Sequence, residues 1–276
     1  MPFDPNTTGP LDVSPLLRLL SGGAWQLELA HERDCHLILW ITRGQGRVLL
    51  DGHCRGFGPH TVLCIPARTL FALELGRQSI GQVLRIGEAI PSGLPEKPMQ
   101  IRIGDMQEQA RLNALFDSML REQQINDDHA ARAICSYADL IGIHLQRLWA
   151  IAPENGRVSA ARRLCRAYCD RLAHDPEGKF NMAGHAAELK VTPTHLTRVC
   201  KQETGKTASA LLTERQLHSA RSLLTRTAMP MRDIAECLGF GSAAYFTRFI
   251  TQHTGETPSA LRKMAQKEAV PAALRA

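Results

Sequence analysis

The segment TRVCKQETGKTASALL, which begins at Thr197, returns fifty residues later as TRFITQHTGETPSALR, which begins at Thr247. Nine of the sixteen positions are identical. Internal repetition at a period of this size indicates that one supersecondary unit is built more than once in the same chain. The C-terminal part of the chain therefore has to fold as two copies of a small unit that are held a fixed distance apart.

Each copy carries the start and stop signals of two short helices. In the first copy, MAGHAAEL is followed by Thr192 and Pro193, an N-cap residue and a proline at the first helical position, and the helix PTHLTRVCKQET then ends at Gly205. In the second copy, MRDIAECL precedes AAYFTRFITQHT, with Ser242 as the cap and Gly255 as the stop. Two short helices joined by a tight turn form a helix-turn-helix, so the sequence predicts two such units, at about 182–204 and 231–254.

The connection between the units is predicted to be one continuous helix. The stretch TASALLTERQLHSARSLLTR, from Thr207 to about Arg226, has about 20 residues and spans about 30 Å as a helix. One turn of B-DNA measures about 34 Å, the spacing that dimeric helix-turn-helix proteins match with two subunits. We therefore expect one rigid helix to hold two recognition helices, 193–204 and 242–254, in consecutive major grooves.

The outward positions of these two helices carry side chains suited to DNA. Arginine pairs with the guanine edge, and Thr or Ala contacts the thymine methyl group. The candidate DNA-binding residues are Thr194, His195, Thr197, Arg198, Lys201, Ser242, Ala243, Ala244, Thr247 and Arg248. A surface ion pair is the alternative for any single arginine, but Arg198 and Arg248 recur at the same repeat position, which favours base contact.

Other positions in this region are assigned to the core or to the phosphate backbone. We predict a core-facing role for Leu196, Val199, Tyr245, Phe246 and Phe249. We predict phosphate contacts, which position a protein on DNA without reading sequence, for Lys190, Lys201, Lys206, Arg221 and Arg232. Residues 157–276 hold 19 Lys and Arg against 10 Asp and Glu, whereas residues 1–156 hold 14 against 17. That imbalance fits a polyanionic partner as well as an ordinary solvated surface.

The same residues resemble the AraC/XylS family of transcription regulators. The resemblance lies in HAAELKVTPTHLTRVCKQETGKTASALLTERQLHSARSLL and in MRDIAECLGFGSAAYFTRFITQHTGETPSALRK, and it covers residues 159–264. It implies a DNA-binding domain of seven helices, the first at about 160–174 and the fourth being the connecting helix. It also implies that the two helix-turn-helix units bind adjacent major grooves of double-stranded DNA.

The N-terminal part has a different pattern. From Trp25 to Ile86, short apolar runs alternate with turn residues every 8–12 positions or so, which is typical of a small all-β sandwich or barrel. Asp51-Gly52 predicts a tight hairpin turn. Amphipathic helices are predicted at 105–124 and 128–151. The expected fold class is α+β with two domains. These are a β-barrel or sandwich with two helices at 10–152, a linker at 153–158, an all-α domain with two helix-turn-helix motifs at 159–264, and a flexible tail at 265–276.

The segment GFGPHTVLCIPARTLFAL resembles the second cupin motif, so residues 10–90 resemble the cupin-like sensor domain of this family. Cupin enzymes hold a metal through an HxH…Glu set and a later histidine. Here HxH is absent, and Leu70 stands where the later histidine is expected. The remaining candidates, His31, His36, His53 and His60, give no three-ligand set, so we expect neither a metal nor another cofactor.

A barrel interior without metal can hold a small molecule. Candidate effector-binding residues are the aromatic side chains Trp25, Trp40, Phe57 and Phe71, for each of which plain core packing is the alternative. Cys165 and Cys169 are four residues apart on one predicted helix. A thiol switch there is the alternative to simple burial, which is what we expect of most of the eight cysteines.

The resemblance implies a sequence-specific transcription regulator, an activator more than a repressor, that responds to a small-molecule effector and contacts RNA polymerase. Two alternatives stay open, a metal-dependent cupin enzyme fused to a DNA-binding module and a thiol-based redox-sensing regulator. Homodimerisation through helices 105–124 and 128–151 also stays open beside intrachain packing. The chain has neither a secretory leader pattern nor about 18 consecutive apolar residues, so we expect a soluble, cytoplasmic protein that is not an enzyme.

Overall fold

A computed structural model describes residues 11–88, 90, 93–125, 129–151, 159–175 and 181–273, with side chains described up to residue 267. The predicted linker 153–158, residue 10 and residues 274–276 lie outside this range. Among the described helices, none is both long and apolar enough to cross a membrane.

The N-terminal half is a sandwich of two antiparallel sheets. Its strands are β1 (Leu11–Pro15), β2 (Cys35–Arg43), β3 (Gly46–Leu50), β4 (His53–Phe57), β5 (Thr61–Ile65), β6 (Ala72–Leu75), β7 (Ile80–Gly87) and β8 (Met99–Arg102). The larger sheet has the order β1-β7-β2-β5-β8 and the smaller the order β4-β3-β6. A 3₁₀ turn at Leu16–Leu20 and a short helix α1 at Trp25–Glu28 precede β2. The predicted all-β pattern does not include α1, because a single helical turn has no periodicity to detect.

The sequence of strand β2, CHLILWITR, is apolar at successive positions rather than at alternate ones, and the surroundings of the strand explain this pattern. Leu37, Leu39 and Ile41 point into the core between the two sheets. Ile38 and Trp40 point to the opposite face, where the larger sheet is covered by helices. Both faces of β2 are therefore buried, as in a strand at the centre of a layered structure.

The covering helices are α2 (Met106–Glu122) and α3 (Ala130–Ile151), which pack on each other as predicted. Asp105 caps α2 by accepting a hydrogen bond from the Gln107 N–H at 2.8 Å. The indole N–H of Trp40 donates to Asn113 Oδ1 on α2 at 2.7 Å, which satisfies the one polar group of a fully buried side chain.

The predicted hairpin turn at Asp51-Gly52 is confirmed. Leu50 and His53 are directly paired across it, and both turn residues have positive φ, 56° and 66°. A two-residue hairpin of this kind requires positive φ at both positions, which Asp and Gly tolerate.

The described residues from 159 onward form seven helices, as the resemblance implied. They are α4 (Ala160–Ala173), α5 (Met182–Glu188), α6 (Pro193–Thr204), α7 (Ala208–Arg226), α8 (Met231–Cys237), α9 (Ala243–Thr254) and α10 (Pro258–Ala273). Residues 265–273, where a flexible tail is predicted, continue α10.

Helix α7 contributes to two separate cores. Its N-terminal half packs with α4, α5 and α6, and its C-terminal half packs with α8, α9 and α10. The first of these cores also contains Ala30, Leu49, Leu70 and Ala72 from the sandwich. This core is separate from the one between the two sheets, and it buries part of the sandwich surface against the first helix-turn-helix unit.

Candidate nucleic-acid interface

The two helix-turn-helix units are built with the same hydrogen bonds at the same positions. Thr192 Oγ1 accepts from the His195 N–H at 3.2 Å, and Ser242 Oγ accepts from the Tyr245 N–H at 3.1 Å. Each bond satisfies one of the free N–H groups at the start of a recognition helix, α6 or α9. The shared sequence pattern therefore encodes a shared local structure.

The ends of the recognition helices match as well. Gly205 and Gly255 terminate them in the left-handed conformation, with φ of 78° and 75°. Next to each glycine, a threonine hydroxyl donates to the backbone oxygen four residues earlier, Thr204 to Cys200 and Thr254 to Ile250, both at 2.8 Å. These bonds explain why the Thr-Gly pair is among the repeated residues.

The turns inside the two units differ by one residue type. Gly239 has φ of 72° in the second unit, and Lys190 has φ of 57° at the corresponding place in the first. In each case the next N–H bonds back to the helix, Val191 to the Ala186 oxygen at 3.0 Å and Phe240 to the Ala235 oxygen at 2.9 Å. The first unit thus makes with lysine a turn that the second makes with glycine.

The predicted DNA-binding residues are accessible on both helices. Nine of the ten are exposed, and Thr197 is half-buried; the ten are Thr194, His195, Thr197, Arg198, Lys201, Ser242, Ala243, Ala244, Thr247 and Arg248. Ser242 also caps α9. The opposite faces are buried through Leu196 and Val199 on α6 and through Phe246 and Ile250 on α9.

Around Arg198 the surface of α6 forms a groove of about 830 Å³, lined by Met182, Pro193, Thr194, Thr197, Arg198, Lys201, Gln202 and Thr207. Arg198 Nη2 lies 3.2 Å from His195 Nδ1, one helical turn earlier. Thr197, Arg198 and Lys201 therefore share one continuous surface with the start of the helix.

Around Arg248 a second groove of about 590 Å³ lies between the second unit and α7. Gln216 on α7, Asn181 at the start of α5 and Tyr245 on α9 all line it. Tyr245 was expected to face the core, and this prediction is wrong, because 53% of its surface is exposed. It directly precedes the fully buried Phe246 in the chain, and an aromatic residue gives no sequence signal that separates the two environments.

Two of the five predicted phosphate contacts are engaged inside the molecule. Lys206 Nζ binds Glu214 at 2.8 Å, and the Arg221 guanidinium lies 4.3 Å from the centre of the Trp25 ring. Burial lowers the pKa of Arg221. Lys190, Lys201 and Arg232 are exposed.

The four candidate effector-binding aromatics do not share one cavity. Trp25 lies against α7, Trp40 packs under α2, and Phe71 is in the core between the sheets. Phe57 does line a cavity, of about 710 Å³, at the end of the sandwich where the two sheets separate. The remaining lining residues are Gln45, Gly46, Arg47, Gly56, Gly58, Thr61, Glu74, Leu75, Gly76, Gln100 and Arg102.

The four histidines weighed as metal ligands are dispersed. His31 lies against α7, His36 Nδ1 accepts from the Ala67 N–H at 3.3 Å, and His53 binds Glu203 at 3.1 Å. His60 lies near Trp40, with ring centres 6.0 Å apart. Within the described residues, no group of three or more His, Cys, Asp and Glu side chains is placed to hold a metal ion.

Comparison with known proteins bears on the same region. A family described as "Helix-turn-helix domain" matches residues 185–264. The arabinose operon regulatory protein of Escherichia coli strain K12 is 28% identical over 137 residues, which cover 46% of this chain and 45% of that protein. The bifunctional transcriptional activator/DNA repair enzyme AdaA of Bacillus subtilis is 32% identical over 77 residues, 28% of this chain and 36% of that protein.

The chain thus spans less than half the length of either relative. Among solved structures, that of apo ToxT from Vibrio cholerae aligns with 94% of this chain and 98% of its own, at 13% identity and a TM-score of 0.42. The part of this chain that matches the family, residues 185–264, contains both recognition helices and the whole of α7.

Proposed function

We propose that the chain is a sequence-specific DNA-binding regulator of transcription controlled by a small molecule, because residues 185–264 form a helix-turn-helix domain of the AraC/XylS type. One observation carries the proposal. The two recognition helices have equivalent caps, equivalent stops and an exposed arginine at the same repeat position. A single helix, α7, connects them, with α6 directly before it and α9 following it after α8.

In this proposal α7 sets the spacing of the two DNA-reading helices. Its 19 residues span about 28 Å, close to the roughly 34 Å of one duplex turn. Arg198 and Arg248 read guanine, and Thr194, Thr197, Ala243, Ala244 and Thr247 contact thymine methyl groups or the backbone. His195, Lys201 and Ser242 complete the contact surface, with Lys190 and Arg232 binding phosphate.

We place the effector in the cavity at the end of the sandwich, in contact with Phe57. The cavity volume is in the range of small-molecule sites, and its wall combines apolar area with the charged side chains of Arg47, Arg102 and Glu74. The same β3–β4 hairpin that lines this cavity reaches the DNA-binding part at its other end. There Asp51 binds Arg162 at 3.1 Å and Arg166 at 3.0 Å.

Effector binding at one end of the hairpin therefore acts on α4 and α6 at the other, and we propose that it activates transcription. The proposed domains are a sensor at 10–152 and a DNA-binding domain from 159 to 264. RNA polymerase is the proposed partner at the promoter. A regulator of this kind works in the cytoplasm and catalyses no reaction.

We also propose that the chain forms a homodimer through α3. Besides the side chains that pack on the sandwich, α3 exposes Leu140 and Ile143, which are three residues apart and each more than 40% accessible. They lie on turns of the helix outside the core, where a second copy of α3 can cover them.

The test is the change in DNA affinity on truncating either arginine. We expect Arg198→Ala and Arg248→Ala each to cost about 1–3 kcal/mol on a selected specific site and much less on random duplex DNA. Fluorescence anisotropy with labelled duplexes measures both affinities. Arg77→Ala, in an exposed turn of the sandwich, is the matched control and should leave both unchanged. Equal losses on specific and random DNA would show that these arginines bind phosphate and do not read bases.

A further inference from the structure

Three buried cysteines meet in the core of the first helix-turn-helix unit. Cys165 and Cys169 lie one turn apart on α4, and Cys200 lies on the recognition helix α6. None exposes more than 3% of its surface. The sulfur atoms of Cys165 and Cys200 are 3.9 Å apart, within hydrogen-bonding distance for sulfur. The sequence spacing suggests Cys165 and Cys169 as neighbours, but only the packing of α4 on α6 adds Cys200.

The arrangement favours an anionic sulfur at Cys165. Hydrogen bonds from the thiols of Cys169 and Cys200 lower the pKa of Cys165, and the nearby His53 acts in the same direction, while burial opposes both. The pKa values of Cys169 and Cys200 are raised, chiefly by the hydrogen bond each makes to Cys165. Cys165 is the central sulfur of the three, since both other thiols hydrogen-bond to it, and a thiolate is the nucleophilic form of cysteine.

A small cavity reaches the cluster at Cys169, whereas Cys165, one helical turn away on α4, and Cys200 are not in its wall. The cavity has a volume of about 200 Å³ and lies between the sandwich and α4, with Cys169, Asp170, Arg166 and His174 in its wall. Since one water molecule occupies about 30 Å³ in the liquid, a molecule as small as a hydroperoxide fits in this space.

We propose that Cys165 and Cys200 are a peroxide-reactive dithiol whose oxidation to a disulfide weakens DNA binding by α6. The Cys165 thiolate attacks the O–O bond of hydrogen peroxide, which gives a sulfenic acid and releases hydroxide. The Cys200 thiol then attacks this sulfur, an S–S bond forms, and the sulfenic oxygen leaves as water. Two thiols are oxidised and one peroxide is reduced in the sequence. The effect on DNA rests on the function proposed above.

Cys165 and Cys200 are fully buried, so their side chains have little room to rotate in a close-packed core, and we expect the disulfide to draw α6 toward α4. An S–S bond measures about 2.05 Å, so the two sulfur atoms have to approach by nearly 2 Å from their present separation. Cys200 lies on the buried side of α6, close in sequence to the outward-facing Arg198 and Lys201. A displacement of α6 toward α4 of the order of 1–2 Å moves both side chains away from the base edges, because direct readout depends on hydrogen-bond geometry.

The experiment uses the full chain carrying Cys237→Ser, which removes an exposed thiol outside the cluster. The DNA affinity of the reduced protein is measured first, so that a chain that never binds DNA counts against the proposed function itself. The protein is then treated with hydrogen peroxide, mapped by non-reducing peptide mass spectrometry and assayed again. We expect a Cys165–Cys200 disulfide and at least a tenfold loss of affinity for the specific site, restored by dithiothreitol.

The control variants are Cys165→Ala and Cys200→Ala, each of which should bind DNA equally well before and after peroxide. If one of them fails to fold, as judged by circular dichroism, the other gives the same comparison, because either removes one half of the disulfide. Three results overturn the proposal. In the first, the three clustered cysteines stay reduced at peroxide doses that oxidise the half-buried Cys54 and Cys135. In the second, a Cys165–Cys169 disulfide forms in place of the predicted one. In the third, the Cys165–Cys200 disulfide forms and DNA affinity is unchanged.

Discussion

At the scale of single residues, the two turns of the repeat show how one backbone conformation is made by two residue types. Lys190 and Gly239 both adopt positive φ and support the same pair of hydrogen bonds. A residue with a Cβ atom is strained in this conformation by about 1 kcal/mol or more, whereas glycine is not. The first unit therefore carries a local cost that the second avoids. Lys190 is exposed, and its side chain is free to bind phosphate as proposed above.

Replacing Lys190 by glycine should stabilise the protein. We expect the free energy of unfolding to rise by about 0.5–1 kcal/mol, since relief of strain exceeds the extra entropy that glycine gives the unfolded chain. Urea denaturation of the full chain measures the change. Gly239→Ala makes the reverse change in the second unit, and it should lower the free energy of unfolding by about 1 kcal/mol. A destabilised Lys190→Gly variant would mean that the side chain contributes more than its backbone strain costs.

At the scale of elements, α7 is both a spacer and a structural support. Thr207 caps it by accepting from the Ala210 N–H at 3.1 Å, and no proline or glycine interrupts it before Arg226. Its two halves are fixed in different cores, so it links the two units as a rigid rod. In contrast to a flexible tether, a rod tolerates only one distance between two DNA half-sites.

Changing the distance between the half-sites should test this rigidity. With 5 extra base pairs between them, the second site turns to the opposite face of the duplex, and with 10 it returns to the same face but lies about 34 Å further away. We expect both insertions to lower affinity by about 10²–10⁴-fold, because each leaves one recognition helix unbound. Electrophoretic mobility shift assays on the three duplexes measure this. Recovery of affinity at 10 base pairs would point to a flexible connection.

At the scale of the whole molecule, the sandwich is joined to α7 by a buried polar cluster. His31 stacks on His218 of α7 with ring centres 4.0 Å apart, and Glu32 pairs with Arg215, 2% of whose side chain is exposed, at 2.6 Å. Burial, followed by the charges of His218 and Arg33, lowers the pKa of His31, and burial, followed by the charges of Arg33 and Arg226, lowers the pKa of His218. Both imidazoles are therefore neutral in the folded protein.

This cluster predicts a loss of stability in acid. A histidine whose folded pKa is depressed stabilises the fold fully above its unfolded pKa of 6.5, and the contribution falls as the pH drops below that value. One pH unit below that value, each of the two histidines should lower the free energy of unfolding by about 1 kcal/mol. We expect unfolding experiments between pH 8 and 5 to show that the free energy of unfolding falls less steeply with pH in His218→Phe than in the unmodified chain. Phenylalanine keeps a flat ring but cannot bind a proton.

His195→Gln is the control for that measurement, because His195 is exposed on α6 and should not change the slope. Identical pH profiles for His218→Phe and the unmodified chain would mean that the buried stack does not control acid stability. His36, His144 and His185 also have lowered pKa values, so part of the loss should persist in the variant.

The sequence by itself determined the local structure of this protein. The caps at Thr192 and Ser242, the stops at Gly205 and Gly255 and the turn at Asp51-Gly52 are decided by interactions within a few residues, so both recognition helices and their exposed arginines could be predicted. The fold class followed from periodicity, as did α2, α3 and α7. Short elements such as α1 have too few residues to show a period.

Only the tertiary structure decided which distant residues meet. It separated Trp25, Trp40, Phe57 and Phe71 into different environments, engaged Lys206 and Arg221 inside the protein, and exposed Tyr245. It also brought Cys200 to Cys165 and His218 to His31. These contacts depend on how helices and sheets pack across long separations in the chain. Burial and pairing are properties of that packing, and one side chain of a given type can satisfy several packings equally well.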